Sequence, residues 1–272
     1  MTLDLDAYFA RIGWNGPAPQ PSAAALRSLN LAHVRGIPFE NLDPVLGTVP
    51  SLALDDIQRK LVHGGRGGYC YEQNTLFAAV LEALGFGVTR LAARVRRGVQ
   101  PGETRPRAHM LLLVDVHGLP GPYLADVGFG SDGGLLEAVP LVAGSEFGGE
   151  RRHRLLRERG QGREPLEYWV LQSRQEDVWC DQYAFTLEPY ETADYEMFNW
   201  HIATGPRSPF RKTLYVQRTL PGRHLFLTGR RFTDTRADGT VLQRDLADGE
   251  EVLRVLAEEF AITLPEGVVL PQ

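Results

Sequence analysis

The apolar period of this chain changes once, near residue 87, and that change limits the fold more than any other feature. Before it, apolar residues recur every third or fourth position. Leu5, Tyr8, Phe9 and Ile12 make one stripe, closed by Gly13. Leu26, Leu29 and Val34 make a second, opened by Ser22 as a helix cap and ended before Pro38. A short helix is expected over 55–62. Leu76, Phe77, Val80, Leu81 and Leu84 make the last stripe, stopped by Gly85. From Val88 the spacing is two. Residues 88–96 alternate, 108–116 is a largely apolar run that reads as a central strand, and 123–127 is a third strand. Short strands are expected over 136–142, 151–156, 167–172 and 178–185, with Gly, Pro and Asp punctuating between them. The pattern predicts an α+β chain, with helices over 1–87 and an antiparallel barrel or sandwich over 88–190. The remainder, 191–272, is mixed. A helix is expected over 192–200, strands over 213–218 and 224–228, a hairpin turned by Asp238-Gly239, and a final helix carrying Val252, Leu253, Leu256 and Phe260. The segment 144–166, rich in Gly, Arg and Glu, reads as a mobile surface excursion.

Composition excludes several classes of function. A hydrophobic share of 43% in 272 residues supports a large core, and a formal net charge of −5 with mixed signs gives no nucleic-acid or anionic-membrane footprint. Lys60 and Lys212 are the only lysines, so 27 of the 29 basic residues are arginine. Two cysteines, Cys70 and Cys180, make neither a disulfide framework nor a zinc spacing. The N-terminus lacks the charged and apolar regions of a signal peptide, and no apolar run reaches the ~20 residues of a membrane span. A soluble protein of a reducing compartment, the cytoplasm, is expected.

One stretch suggests chemistry. Glycines at 64, 65, 67 and 68 let the backbone turn tightly or approach a ligand, and Cys70 follows at the start of a buried helix. Free N–H groups and the helix dipole favour a thiolate there. An isolated cysteine is more often a small buried hydrophobe, so the signal needs a base. His63, His117 and His153 fall in loops or edges, His33 on the second helix, and His224 at a strand start. His109 heads the apolar run Met110-Leu111-Leu112-Leu113-Val114, where a central strand would pin its ring. Asp126 lies in the next strand, in apolar surroundings that make an unpaired carboxylate costly. Asp115 is the alternative carboxylate, but it stands beside a turn and should face solvent. The implied set is Cys70, His109 and Asp126, a nucleophile, a base and its orienter, with no metal required. Gly67 and Gly68 are expected to bend the backbone so that Cys70 opens into a cleft. Cys180 reads as structural.

The run Arg66-Gly67-Gly68-Tyr69-Cys70-Tyr71-Glu72-Gln73-Asn74 resembles the active-cysteine signature of the arylamine N-acetyltransferases. Ile37-Pro38-Phe39-Glu40-Asn41-Leu42, His109, Leu124-Ala125-Asp126-Val127-Gly128-Phe129-Gly130, and Asn199-Trp200 with Thr204, Pro206 and Ser208-Pro209-Phe210 match further segments in order. The resemblance implies a helical bundle, a β-barrel and an α/β lid, with a cysteine-protease-like Cys-His-Asp core between bundle and barrel. It implies ping-pong transfer of an acetyl group from acetyl-coenzyme A, through acetyl-Cys70, to an arylamine, arylhydrazine or arylhydroxylamine. Helix-end amides near Cys70 would stabilise the oxyanion. By the same resemblance Phe39, Tyr71 and Phe129 would line the acceptor pocket. Arg105, Pro106, Arg107, Ala108, His201, Thr204, Arg207 and Ser208 would meet coenzyme A. No metal, prosthetic group, nucleic acid or membrane is implied. Two alternatives share the triad: an amide synthase taking a carrier-bound polyketide acyl group, and a transglutaminase-like thiol hydrolase.

Overall fold

The first long strand begins at Gly87, where the apolar period changes. The computed structural model describes residues 3–100, 103–160, 166–265 and 267–270. Ahead of that strand lie helices α1 (Leu5–Arg11), α2 (Ala23–Gly36), α3 (Leu42–Val45), α4 (Leu54–Ile57) and α5 (Cys70–Ala83), interrupted by a two-residue strand, β1 (Phe39–Glu40). The local signals act as the sequence requires. Ser22 caps α2 by accepting from the Ala25 N–H at 3.1 Å. Gly13 and Gly85 take positive φ, +68° and +91°, just past the ends of α1 and α5. The predicted helix over 55–62 is different in kind: α4 runs directly into a π-helical turn, Gln58–His63. That wider turn carries Lys60 inward to α5 while Arg59 stays in solvent.

Eight strands follow as one antiparallel sheet: β2 (Gly87–Val95), β3 (Arg107–Asp115), β4 (Tyr123–Ala125), β5 (Val139–Pro140), β6 (Glu146–Phe147), β7 (His153–Arg159), β8 (Glu167–Gln175) and β9 (Val178–Pro189). The order is β5-β4-β3-β2-β9-β8-β7-β6. Ala143 bridges Leu155, and the Gly144 N–H donates to the Leu155 carbonyl at 2.8 Å, so the chain leaving β5 lies on β7. The sheet thereby nearly closes into a barrel. β3 explains its own continuous apolar run. Met110, Leu112 and Val114 pack on the helical bundle, while Leu111 and Leu113 turn into the barrel with Leu91, Leu124, Tyr183 and Phe185. The strand predicted over 136–142 shrinks to β5, because Pro140 has no N–H with which to extend a ladder. The predicted surface excursion is largely built: β6 and β7 occupy it up to Arg159, and 161–165 lie outside the described residues.

The last part comprises α6 (Thr192–Thr204), α7 (Pro209–Lys212), strands β10 (Tyr215–Leu220), β11 (Arg223–Thr228), β12 (Arg231–Arg236) and β13 (Val241–Asp245), and α8 (Gly249–Glu258). Its sheet runs β1-β10-β11-β12-β13, with Gly239 at φ +85° in the predicted hairpin turn. α8 packs Val252, Val255 and Leu256 on that sheet. The unpredicted member is β1, which pairs Phe39 with Gln217 and Glu40 with Val216. The whole is an α+β fold: a helical bundle, a central antiparallel barrel and a C-terminal α/β unit.

A buried polar chain crosses the bundle. The Tyr8 hydroxyl meets His33 Nδ1 at 2.9 Å, His33 Nε2 meets Gln73 Oε1 at 2.7 Å, and Gln73 Nε2 donates to the Pro38 carbonyl at 2.9 Å. The arrangement needs neutral His33, donating from Nε2 and accepting at Nδ1. Burial lowers its pKa to about 4, against the opposing hydrogen bond from Gln73. Burial likewise lowers His153 to about 4 and depresses His224. In the unfolded chain these rings titrate near 6.5. Folded values below unfolded ones give stability that is complete above pH 6.5 and is lost as pH falls toward 4. Each such shift is on the order of 3 kcal/mol. Glu72, raised to about 7 mainly by burial, works in the opposite direction and offsets roughly one of the three. Urea unfolding should therefore show a clear loss of stability between pH 7 and pH 4.5, and a flat or rising profile would contradict the neutral-histidine assignment.

Candidate active site

Cys70 is the first residue of α5, and four hydrogen bonds hold that helix end and the loop before it. Glu72 accepts from the Tyr69 N–H at 3.2 Å and so caps the helix. The Tyr69 hydroxyl donates to Asn199 Oδ1 on α6. The preceding loop is stitched to β1: the Glu40 N–H donates to the Gly68 carbonyl at 3.1 Å, and the Gly68 N–H to the Pro38 carbonyl at 3.4 Å. These contacts correct the expected role of the glycines. Neither Gly67 nor Gly68 adopts positive φ. A side chain on Gly67 would collide with the Pro38 carbonyl, and one on Gly68 would sit 2.7 Å from Glu72 Oε2. They permit close approach, not a bend. Gly128 does the same from the barrel side: its Cβ would lie 2.7 Å from Cys70 Cα.

The structure brings the three predicted residues together. His109 Nε2 lies 2.7 Å from Asp126 Oδ2, and Cys70 is near enough to the same imidazole to favour its charged form. With Nε2 committed to the carboxylate, Nδ1 is the nitrogen left for the thiol. Burial disfavours charge on His109, but Asp126 and Cys70 outweigh it and push its pKa up to about 10. An imidazolium is thus stabilised beside the sulfur, the state that accompanies a thiolate nucleophile. Asp126 is not reached across a ladder as the sequence suggested. β4 pairs with β3 only through Ala125, opposite Leu112, so Asp126 lies just past the last paired residue. Freed from pairing, its Oδ1 accepts from Asn74 Nδ2 at 3.1 Å and from the Gly128 N–H at 3.0 Å. Asp115 is exposed, as expected.

Two further residues shape the site. Asn74, one turn along α5 from Cys70, also donates to the Met110 carbonyl at 2.8 Å and accepts from the Val127 N–H at 3.2 Å. It ties helix, β3 and the aspartate segment to one another. Its signal was a polar residue four positions from Cys70 in a largely buried helix. Tyr183, on β9, packs its ring 5.1 Å from His109 and 5.0 Å from Phe129, and nothing local in the sequence marks it.

The other predicted residues divide. Phe129 stands edge-on to His109 with ring centroids 5.0 Å apart. Phe39 packs against Phe210 at 6.1 Å, and both Phe39 and Phe129 line a small cavity with Asp126, Gln217 and Arg151. Tyr71 lies elsewhere, fully buried between Tyr69 and Tyr195, its hydroxyl without a partner among the described residues. The Ala108 carbonyl faces Cys70 Sγ at 4.0 Å. Arg107 is already engaged by Glu188 at 3.0 Å and by the Tyr190 hydroxyl. Arg105 meets Glu103 at 3.5 Å, and Pro106 is exposed. His201 and Arg207 are exposed, Thr204 donates to the Trp200 carbonyl at 2.7 Å, and Ser208 is buried, its hydroxyl without a partner among the described residues. Among the described residues no cluster of His, Cys, Asp or Glu could hold a metal ion.

Comparison with known proteins identifies the family. The sequence matches the N-acetyltransferase family model over residues 22–269. It is 39% identical to the arylamine N-acetyltransferase of Escherichia coli, over 96% of this chain and 90% of that protein. It is 37% identical to the arylamine N-acetyltransferase / N-hydroxyarylamine O-acetyltransferase of Salmonella typhimurium, with the same coverage. The crystal structure of the Nocardia farcinica arylamine N-acetyltransferase superimposes with a TM-score of 0.88 at 43% identity, over 97% of this chain and 90% of that one. The Mycobacterium marinum enzyme in complex with CoA gives 0.88 at 34% identity, over 95% and 93%. With family, fold and cysteine site in agreement, the chain belongs to the arylamine N-acetyltransferases, a family of acyltransferases.

Proposed function

We propose that this protein transfers an acetyl group from acetyl-coenzyme A to an arylamine, arylhydrazine or arylhydroxylamine by a two-step thioester mechanism. The contact of Cys70 with His109, itself held by Asp126, carries the proposal. The Cys70 thiolate attacks the acetyl carbonyl, and the N–H groups at the start of α5 face the developing oxyanion. His109, as imidazolium, gives its proton to the departing coenzyme A thiolate, leaving acetyl-Cys70 and a neutral ring. The amine then attacks the thioester. His109 takes the proton that the amine loses, and the Cys70 thiolate leaves.

The bundle 1–87 supplies the nucleophile in this scheme, the barrel 88–190 supplies base and orienter, and 191–272 acts as the lid. Phe39 and Phe129 form the aromatic wall for the acceptor, with Tyr71 supporting from behind. Residues 105–108 and His201, Thr204, Arg207 and Ser208 border the path for coenzyme A, for which Arg107 would exchange Glu188 for phosphate. No metal takes part in these steps. The CoA complex of the Mycobacterium marinum relative supports the choice of donor over a carrier-bound polyketide. A cytoplasmic location fits two free cysteines, and among the described residues no helix is long and apolar enough to cross a membrane.

Mass spectrometry tests the proposal directly. Incubation with acetyl-coenzyme A should add one acetyl group to the peptide bearing Cys70, and an arylamine should then remove it as the N-acetyl product. Cys70→Ala should show neither event. An unmodified Cys70, or acetate release at the full turnover rate without any amine, refutes the assignment.

A further inference from the structure

Arg151 is a partly buried guanidinium set among neutral acceptors. Its Nη1 donates to the Ser131 and Gly134 carbonyls at 3.4 and 3.1 Å, and its Nη2 to Thr219 Oγ1 and His224 Nδ1 at 3.4 and 3.1 Å. Among the described residues no carboxylate pairs with it directly; Asp132 and Glu150 act only at longer range. Burial lowers its pKa to about 10, which leaves it charged at neutral pH. Burying a cation without a counter-ion costs several kcal/mol unless its donors are well used.

The two pairs of acceptors lie on different parts of the molecule. Ser131 and Gly134 belong to the loop that follows Asp126 and carries Phe129. Thr219 and His224 belong to β10 and β11 of the last sheet. A second strut runs beside the first, from Gln217 Nε2 to the Gly130 carbonyl. Gly130, at φ +59°, presses so closely on Phe39 that a Cβ there would lie 2.6 Å from its ring. The loop therefore fixes both aromatic rings of the acceptor wall, and Arg151 lines the same cavity as they do. Cys70, His109 and Asp126 are held by a separate set of contacts, through Asn74 and the Gly128 N–H.

We infer that Arg151 is a positioning residue for the second half-reaction: it clamps the 129–134 loop to the last sheet and so sets Phe129 and Phe39 against the incoming amine. The inference rests on the proposed acetyl transfer and deepens it, because it assigns the clamp to acceptor capture and not to thiol acylation.

Ping-pong kinetics separate the two steps, since each substrate's kcat/KM reports its own half-reaction. In Arg151→Met, acylation of Cys70 by the small donor p-nitrophenyl acetate, and its pH profile, should stay within about twofold of wild type. The kcat/KM for 4-anisidine should fall about tenfold or more, the scale expected when a positioning contact is lost. Arg151→Lys keeps the charge but cannot span four acceptors, so it should recover only part of the loss. A double variant, Thr219→Val with His224→Phe, removes the sheet-side acceptors while keeping Arg151 and should show the same split, which covers the case in which Arg151→Met does not fold. Parallel falls in both half-reactions, an unchanged amine kcat/KM, or full recovery by lysine would each overturn the clamp. Failure of wild-type Cys70 to acetylate at all would instead refute the proposed function.

Discussion

Asp126→Asn is expected to lower acetyl transfer by about 10³–10⁴-fold, the scale seen when the orienting carboxylate of a catalytic triad loses its charge. The reason is specific to this site. Asp126 Oδ1 accepts from Asn74 Nδ2 and from the Gly128 N–H, so the oxygen of an asparagine amide must occupy that position. Its NH₂ then points at His109 Nε2, which must become an acceptor. The ring is forced to carry its proton on Nδ1 and can no longer take one from Cys70. The negative charge that raises the His109 pKa to about 10 is lost at the same time. Acylation of Cys70 by p-nitrophenyl acetate measures the effect. An acylation rate within tenfold of wild type would mean that Asp126 neither fixes the tautomer nor holds the charge. A modest loss of stability should accompany it, with a signed pH dependence. The folded His109 pKa lies above the unfolded value of 6.5, so the pair's stabilisation is complete below pH 6.5 and fades as pH rises toward 10. Wild type and variant should therefore differ most in melting temperature at acid and neutral pH and converge in alkali.

Lys60→Met should have the largest effect on stability. Lys60 Nζ lies 2.7 Å from Asp43, 2.7 Å from Glu72 and 3.9 Å from Glu40, on a side chain only 17% exposed. Arg66 is the other cation in the cluster, paired with Glu40 at 2.7 Å and Asp43 at 2.9 Å. One of only two lysines in an arginine-rich chain stands here, where a compact ammonium can touch carboxylates on three elements at once. Removing it leaves Glu72 buried without its nearest counter-ion. The cost for such a break is about 3–5 kcal/mol, on the order of 10 °C in melting temperature for a chain of this size. Glu72 already has a pKa raised to about 7, by burial first and by Glu40 against the pull of Lys60. Without Lys60 it should rise further, and protonation then relieves the penalty. The deficit should be larger at pH 8 than at pH 6. Equal deficits at both values would show that lost packing, not the uncompensated carboxylate, is responsible.

How much of this was legible in the sequence depends on how local the signal is. Cys70 was marked by the glycines before it and the helix after it, His109 by the apolar run it heads, and Asp126 by the cost of a carboxylate among apolar neighbours. Each signal sits within a few residues of the group it identifies. β1 has only two residues, too few to show a period, and its partner lies on β10 far along the chain. Lys60 stands out in the sequence only as one of two lysines; the π-helical turn that aims it inward leaves no spacing signal there. Arg107 was expected to meet coenzyme A, but its partners Glu188, at the end of β9, and Tyr190, just past it, lie 81 and 83 residues along the chain. Tyr183 comes from β9 and Arg151 from the bend before β7, both distant in sequence from Cys70, so no spacing could reveal them.

β1 has a consequence for the order of assembly. It is made early, beside the loop that leads into Cys70, yet its ladder partner is β10, near the end of the chain. The contact has a high sequence separation, so closing it carries a large loop entropy and comes late in folding. A chain emerging from the ribosome can build its bundle, much of its barrel and the contacts around Cys70 while β1 still has an unpaired edge. Phe39, on β1, is then joined to the last sheet only when synthesis is nearly complete.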